Sequence, residues 1–358
     1  MLLFLFPLIF LASAQCNIYQ CKPQKVEFEP DQCIFNFTAT TYYLSLCPED
    51  QYCPPITSPG NSSCEAIPNT PQQAWPGETC NVNITCAFGT CQNKFCQGKT
   101  VGTACTQTGE CNPGLYCSTT TNKCATQITI GGNGCHNDYE CVNNAGCNIT
   151  GDGTGQCVGY LSVEVDDEIA QCANHYNLLC ESTLCGTING TNVCGSSVAS
   201  ASIIPMMCTS DGDCFSEGDP ALGIGYGSSC QCSYGFQGIK YCGLFPGDPI
   251  ASNYFELLKA WYSNANVTLC NSLRRDNPAC VKSHWSTKHA LEYTYFRLWY
   301  QMYSQIQDND ECVMQIYTSN FWNSKDEYDE YGNPDPDAEY NLSFSSSLVI
   351  SGLLVLMF

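Results

Sequence analysis

The chain reads as a tandem series of small disulfide-rich modules followed by a small α-helical domain. Three observations predict this. The 358 residues carry thirty cysteines. Between Cys80 and Cys194 the cysteines recur in a rhythm of short units. After Pro249 the sequence becomes cysteine-poor, aromatic-rich and helically periodic. Cysteine at about 8% marks a disulfide scaffold, and such density persists only in an oxidising compartment. All thirty lie beyond residue 15 and their number is even, so complete pairing is expected.

Residues 1–14 read as a signal peptide. Met1 to Ala14 has no charged side chain and ends in Ala12-Ser13-Ala14, a small-residue cleavage pattern before Gln15. Residues 15–76 form an N-terminal cysteine-rich module with wide cysteine spacing, closing in the proline-rich stretch Pro54 to Pro76. Residues 77–193 hold the tandem cysteine-rich repeats. Cys105, Cys111, Cys117 and Cys124 make one unit, and Cys135, Cys141, Cys147 and Cys157 the next; Cys80, Cys86, Cys91 and Cys96 precede them, and Cys172, Cys180, Cys185 and Cys194 follow. Units of about 25 to 30 residues are too small to bury a useful apolar core, so covalent links must replace one. Three units place an acid directly before the second cysteine: Glu110 before Cys111, Glu140 before Cys141 and Asp213 before Cys214.

The run Cys105 to Cys124, with its Asn112-Pro113-Gly114 turn, resembles the N-terminal cysteine-rich domain of the Dickkopf family of secreted signalling antagonists. The resemblance covers about twenty residues well. It implies small disulfide-rich β-hairpin modules in tandem, here followed by a small α-helical domain; it does not carry receptor antagonism with it. Residues 194–249 resemble an EGF-like module, because Cys230-Gln-Cys232-Ser-Tyr-Gly235-Phe236 is followed by a last cysteine, Cys242. That likeness implies a disulfide unit of Cys194, Cys208, Cys214, Cys230, Cys232 and Cys242, with Gly235 in a tight turn and Phe236 packed on the hairpin. The acidic calcium signature before its first cysteine is missing, so no calcium is assigned.

Residues 250–324 are expected to be a helical domain of three or four helices. Phe255, Leu258 and Tyr262 recur at helical spacing, as do Leu291, Tyr295, Leu298, Met302 and Ile306. Ser286 and Asp308 are candidate N-caps, and Asn277-Pro278 breaks the chain between helices. Its aromatics are read as core first, with an outward groove for sugar or peptide as the functional alternative. Cys270, Cys280 and Cys312 are an odd number, so one of them is expected to bond to a residue before 250.

Residues 325–343 read as an acidic stalk, too polar to fold alone, and residues 344–358 as a hydrophobic C-terminal tail. Leu348 to Phe358 is shorter than the about 20 residues of a spanning helix. It resembles a glycosylphosphatidylinositol attachment signal after a polar spacer, with Asn341-Leu342-Ser343 or Asp337-Ala338-Glu339 as the attachment region. A short transmembrane segment and a plain secreted tail are the other readings. N-glycan acceptors stand at Asn36, Asn61, Asn83, Asn148, Asn189, Asn266 and Asn341.

The net charge of −21 argues against nucleic acid, whose recognition runs on Lys and Arg. No catalytic residue, cofactor or metal ligand is assigned. His136, His175, His284 and His289 belong to no zinc or hydrolase motif, and His284 and His289 are five apart, off the spacing of two ligands on one helix face. Disulfides are favoured over zinc for the cysteines, and turn chemistry over calcium for Asp211-Gly212-Asp213. The layout as a whole resembles cysteine-rich, lipid-anchored surface proteins of protozoa, ciliate surface antigens among them. It implies a non-enzymatic protein on the extracellular face, membrane-bound through a lipid anchor, with a coat, adhesion or ligand-binding role toward an extracellular protein or glycan. The alternatives are a released regulator, either a Dickkopf-like antagonist or a protease inhibitor, and an enzyme housed in residues 250–324, whose mark would be acid and histidine side chains converging in one cleft.

Overall fold

A computed structural model describes residues 16–332, except 57–58, 68–71, 152, 173–176, 201–203 and 218–224. The expected signal peptide, His175, Asn341, residues 333–343 of the stalk and the apolar tail lie outside the described residues. All thirty cysteines are bonded, in fifteen disulfides, and none is free.

Ten of the bridges build five units of one design, the first cysteine bonded to the third and the second to the fourth. The pairs are Cys80–Cys91 with Cys86–Cys96, Cys105–Cys117 with Cys111–Cys124, and Cys135–Cys147 with Cys141–Cys157. Cys172–Cys185 with Cys180–Cys194, and Cys208–Cys230 with Cys214–Cys242, complete the series. In every unit the third and fourth cysteines sit directly opposite each other on an antiparallel strand pair, as Cys117 and Cys124 do. The N–H of the fourth cysteine donates to a carbonyl just ahead of the first cysteine: Glu78, Thr103, Gly132, Asp167 and Met206 in turn. A lead segment pairs in parallel with the second cysteine in the first four units, through Ala74, Lys99, Ile128 and Val163. The cystines themselves are the interior: Cys105, Cys111, Cys117 and Cys124 form one buried cluster joined only by the partly buried Leu115.

Between lead segment and first cysteine the chain must reverse tightly. Gly77, Gly102 and Gly131 do this at φ +92, +80 and +83, each donating its N–H to the carbonyl of its own unit's fourth cysteine. Asp166 takes the same place in the fourth unit at φ +71. A positive φ is nearly free for glycine and costly for other residues, which explains glycine at three of the four positions.

The N-terminal module is a four-stranded sheet in the order Ile18–Cys21, Thr41–Leu44, Gln32–Asn36, Ser62–Ser63. Ile34, Tyr42 and Leu44 are its buried face. Cys33–Cys53 and Cys47–Cys64 interleave across it.

Five α-helices follow the modules, one more than the upper expectation: α1 Pro249–Tyr262, α2 Pro278–His284, α3 Thr287–Met302, α4 Glu311–Tyr317 and α5 Ser319–Glu327. Proline at the first turn costs no hydrogen bond there, which is why Pro249 and Pro278 start α1 and α2. Ser286 caps α3 as expected, its side chain accepting from the His289 N–H. Asp308 does not cap a helix. It holds φ +55 and accepts a hydrogen bond from the Tyr241 hydroxyl, while Asp310 takes the N-cap position of α4. The first stripe is core: Phe255, Leu258 and Tyr262 of α1 are buried, with Trp261 fully so. Of the second, Leu291 and Tyr295 are buried, with Tyr295 stacked on Phe321 and Tyr328, but Leu298 and Met302 are half-buried and Ile306 lies beyond the end of α3.

The helices are a hub for the modules rather than an appendage after them. The turn between α1 and α2 is tied by Cys270–Cys280 and keyed to three units. Asn271 Nδ2 donates to Cys111 O at 2.9 Å in the second unit. Asn143 of the third unit donates back to Val267 O and Cys270 O at 2.8 and 2.7 Å. Arg275 Nη1 reaches Asp138 O and Ala145 O, both at 3.1 Å, and Arg274 Nε pairs with buried Glu78 of the first unit at 3.0 Å. Each contact satisfies a buried polar group that would otherwise cost about 1–3 kcal/mol.

Two bridges close the chain on itself. Cys16–Cys232 joins the N-terminal strand to the fifth unit, and Cys21–Cys312 joins it to α4, across a separation of 291 residues. The expected long-range partner of the helical domain is therefore Cys21. Around this closure Tyr19 stacks with Tyr42 at 5.4 Å and lies 4.9 Å from Tyr317, which in turn stacks on Tyr234 at 4.7 Å.

Candidate functional site

The acid before the second cysteine is a local fastener. Glu110 accepts from the Thr106 hydroxyl and from Lys99, Glu140 from the His136 N–H at 2.9 Å, and Asp213 from the Thr209 and Ser210 N–H groups at 2.7 and 3.0 Å. In each unit the carboxylate holds the backbone just after the first cysteine. The Lys99 ammonium, then the Thr106 hydroxyl, pull the Glu110 carboxyl below its usual range; the Thr209 hydroxyl and backbone do the same for Asp213.

The six cysteines grouped as an EGF-like unit do not close on one another. Cys194 belongs to Cys180, and Cys232 to Cys16, so only Cys208–Cys230 and Cys214–Cys242 remain within the group. The reason is geometric: Cys194 lies on a strand directly opposite Cys185, in the ladder that completes the fourth unit. Gly235 is required by close approach, not by a positive φ. A Cβ there would meet the carbonyls of Gln307 and Asp308 at 3.0 Å. Phe236 is 43% exposed instead of packed. The eight repeat cysteines from Cys105 to Cys157 pair only among themselves.

Five groups of three sulfurs lie within 4.8 Å, a spacing that could suit a metal ion, but every one of these sulfurs is already in a disulfide and offers no thiolate. Asp211 Oδ1 accepts the Cys230 N–H at 2.7 Å, so both acids of Asp211-Gly212-Asp213 serve the backbone. His289 packs on Trp285 and hydrogen-bonds Ser286. His284 Nε2 lies 2.6 Å from Gly77 O, its ring stacked on Phe95; desolvation lowers its pKa. His136 faces Glu140 at 3.2 Å.

The described N-glycan acceptors are spread over the modules and helices. Asn61, Asn83, Asn189 and Asn266 are exposed, and Asn36 and Asn148 half-buried. Asn266 Nδ2 donates to His284 O at 2.8 Å. Asn61 Oδ1 accepts the Asn36 N–H at 2.8 Å, bringing two acceptors together from 25 residues apart.

Two surface depressions stand out among the described residues. One, of about 260 Å³, lies between the N-terminal module and the α4–α5 region, lined by Leu46, Tyr52, Pro55 and Ile316. The other, of about 290 Å³, lies at the junction of the third and fourth units and is lined by Asp138, Asn148, Ile149, Tyr160, Gln171 and Leu178 among others. Asp138 accepts from Cys147 N–H at 2.8 Å and from the Tyr160 hydroxyl at 2.9 Å. Burial drives the Tyr160 pKa far up, so the phenol stays a neutral donor. With amides, one carboxylate and aliphatic side chains, the second depression suits a neutral polyhydroxylated group. Cysteine spacing alone could not reveal it, because Asn148 and Leu178 come from different units.

Compared with protein-family models, curated proteins and solved structures, the chain finds no match. No described helix is long and apolar enough to cross a membrane. Extensive disulfide bonding points to an extracellular or secreted protein.

Proposed function

We propose that the chain is a non-enzymatic, glycosylated cell-surface protein with a coat, adhesion or ligand-binding role on the extracellular face, tethered by a glycosylphosphatidylinositol lipid. The observation that carries this reading is the pairing of all thirty cysteines into fifteen bridges, which commits every thiol to scaffolding. A thiol in a bridge has no thiolate for catalysis or metal binding. The short apolar run Leu348 to Phe358 and the polar stretch before it support the lipid tether. Treating intact expressing cells with a phosphatidylinositol-specific phospholipase tests the tether: the protein should move from the cell surface into the medium. Protein that stays on treated cells would overturn the lipid anchor, and protein already in the medium of untreated cells would favour the released regulator.

A further inference from the structure

The geometry points to Asn148 as a structural glycosylation site whose first N-acetylglucosamine seats in the depression between the third and fourth units and cements their junction. This rests on the reading of the chain as a secreted glycoprotein and adds where one glycan works and on what.

Three observations converge on Asn148. It heads the acceptor sequence Asn148-Ile149-Thr150. Its Oδ1 accepts the Ala170 N–H at 2.8 Å, so the stretch between the Asp166 reversal and the fourth unit's first cysteine fixes the side-chain amide of the third. Among the described residues no hydrogen bond engages its Nδ2, the atom that carries an N-glycan, and the side chain lines the depression of about 290 Å³. That volume accommodates one sugar ring, not an oligosaccharide. Asp138 and Gln171 offer hydrogen-bonding groups for hydroxyls, and Ile149 and Leu178 offer apolar surface for the C–H face of a ring.

Attachment leaves the existing contact intact. When the glycan is transferred from a lipid-linked diphosphate donor, the Nδ2–C1 bond forms and the C1–O bond to the diphosphate breaks. The diphosphate departs and Nδ2 gives up one proton. The product is still an amide, so Oδ1 continues to accept from Ala170. Because Asn148 is half-buried, attachment precedes closure of the junction. Asn83 and Asn189 contrast with it: both are exposed, and Asn189 sits at φ +51 beside Gly190 in a turn between strands.

The test uses full-length protein from a eukaryotic secretory host, with release by a peptide N-glycosidase in 18O water and site-by-site mass spectrometry. Asn148 should be occupied, and its glycan should be released from folded protein at least tenfold more slowly than those at Asn83 and Asn189, with the difference gone after reduction and denaturation. Asn148→Asp keeps an oxygen acceptor for Ala170 but carries no glycan; amide exchange at Ala170 and Leu179 should then run several-fold faster than in the glycosylated protein. If the variant is not secreted, the release rates of the unaltered protein decide the matter alone. Release at Asn148 as fast as at Asn189, or an empty Asn148 beside occupied Asn83 and Asn189, would overturn the inference. Sugar at none of the acceptors would instead overturn the glycoprotein reading on which it stands.

Discussion

A carboxylate one residue before the second cysteine does the same thing three times: it accepts backbone N–H groups that a short unit has no strand to satisfy. Glu140 is the most enclosed of them at 6% exposure, holding the His136 N–H and the Asn137 side-chain amide. Glu140→Ala leaves a donor unpaired and should destabilise the third unit by about 1–3 kcal/mol, seen as faster amide exchange at His136 with other units unchanged. The two carboxyls with depressed pKa add a pH dependence. For Glu110 and Asp213 the folded state binds the proton less readily than the unfolded chain, so their stabilisation is complete above the ordinary carboxylate range of about 4. It fades as pH falls through the lower, folded values. Acidification below about pH 4 should therefore release the Thr106 and Thr209 amides first, and Asp213→Ala should abolish that pH dependence at Thr209.

At the scale of one element, the unit is a pair of cystines with backbone wrapped round them. The second unit buries Cys105, Cys111, Cys117 and Cys124 and little else, so its stability is the closure of two short loops, with separations of 12 and 13 residues. A loop of about 15 residues is worth about 3 kcal/mol on the chain-entropy account. Replacing Cys105 and Cys117 together with Ser should open residues 98–126 to protease while the third unit stays resistant, because the third unit has its own two bridges. Limited proteolysis followed by mass mapping checks this. Loss of protection in all units at once would mean that the units fold as one block.

The whole molecule is a ring closed at two points. The only covalent links from residues 16–64 to the later chain, besides the backbone, are Cys16–Cys232 and Cys21–Cys312. A protease site inserted between Ile67 and Gln72 should thus yield two fragments that migrate together without reductant. They should still do so when Cys21 and Cys312 are both replaced by Ala, and separate when Cys16 and Cys232 are replaced as well. The tyrosines around the closure bury apolar surface but leave no covalent bond, so denaturing electrophoresis distinguishes the two contributions.

Cysteine count and spacing determined the scaffold, its oxidising compartment, the unit length and the need for one long-range bridge from the helical domain, since pairing arithmetic is a property of the chain itself. Helical periodicity located α1 and α3 and Pro278 the start of α2, because burial of one face repeats every 3.6 residues whatever the partner, whereas α4 and α5 carried no such stripe. Which cysteines join distant parts was not legible. Cys194 and Cys232 sit where a local pattern would use them, yet Cys194 is taken by the ladder opposite Cys185, and Cys232 by a residue 216 positions away. The keyed turn at Asn271, Arg274 and Arg275, the depression beside Asn148 and the 307–308 carbonyls crowding Gly235 share that character. Each joins backbone or side-chain groups from segments remote in sequence, and only packing in three dimensions decides which remote groups meet.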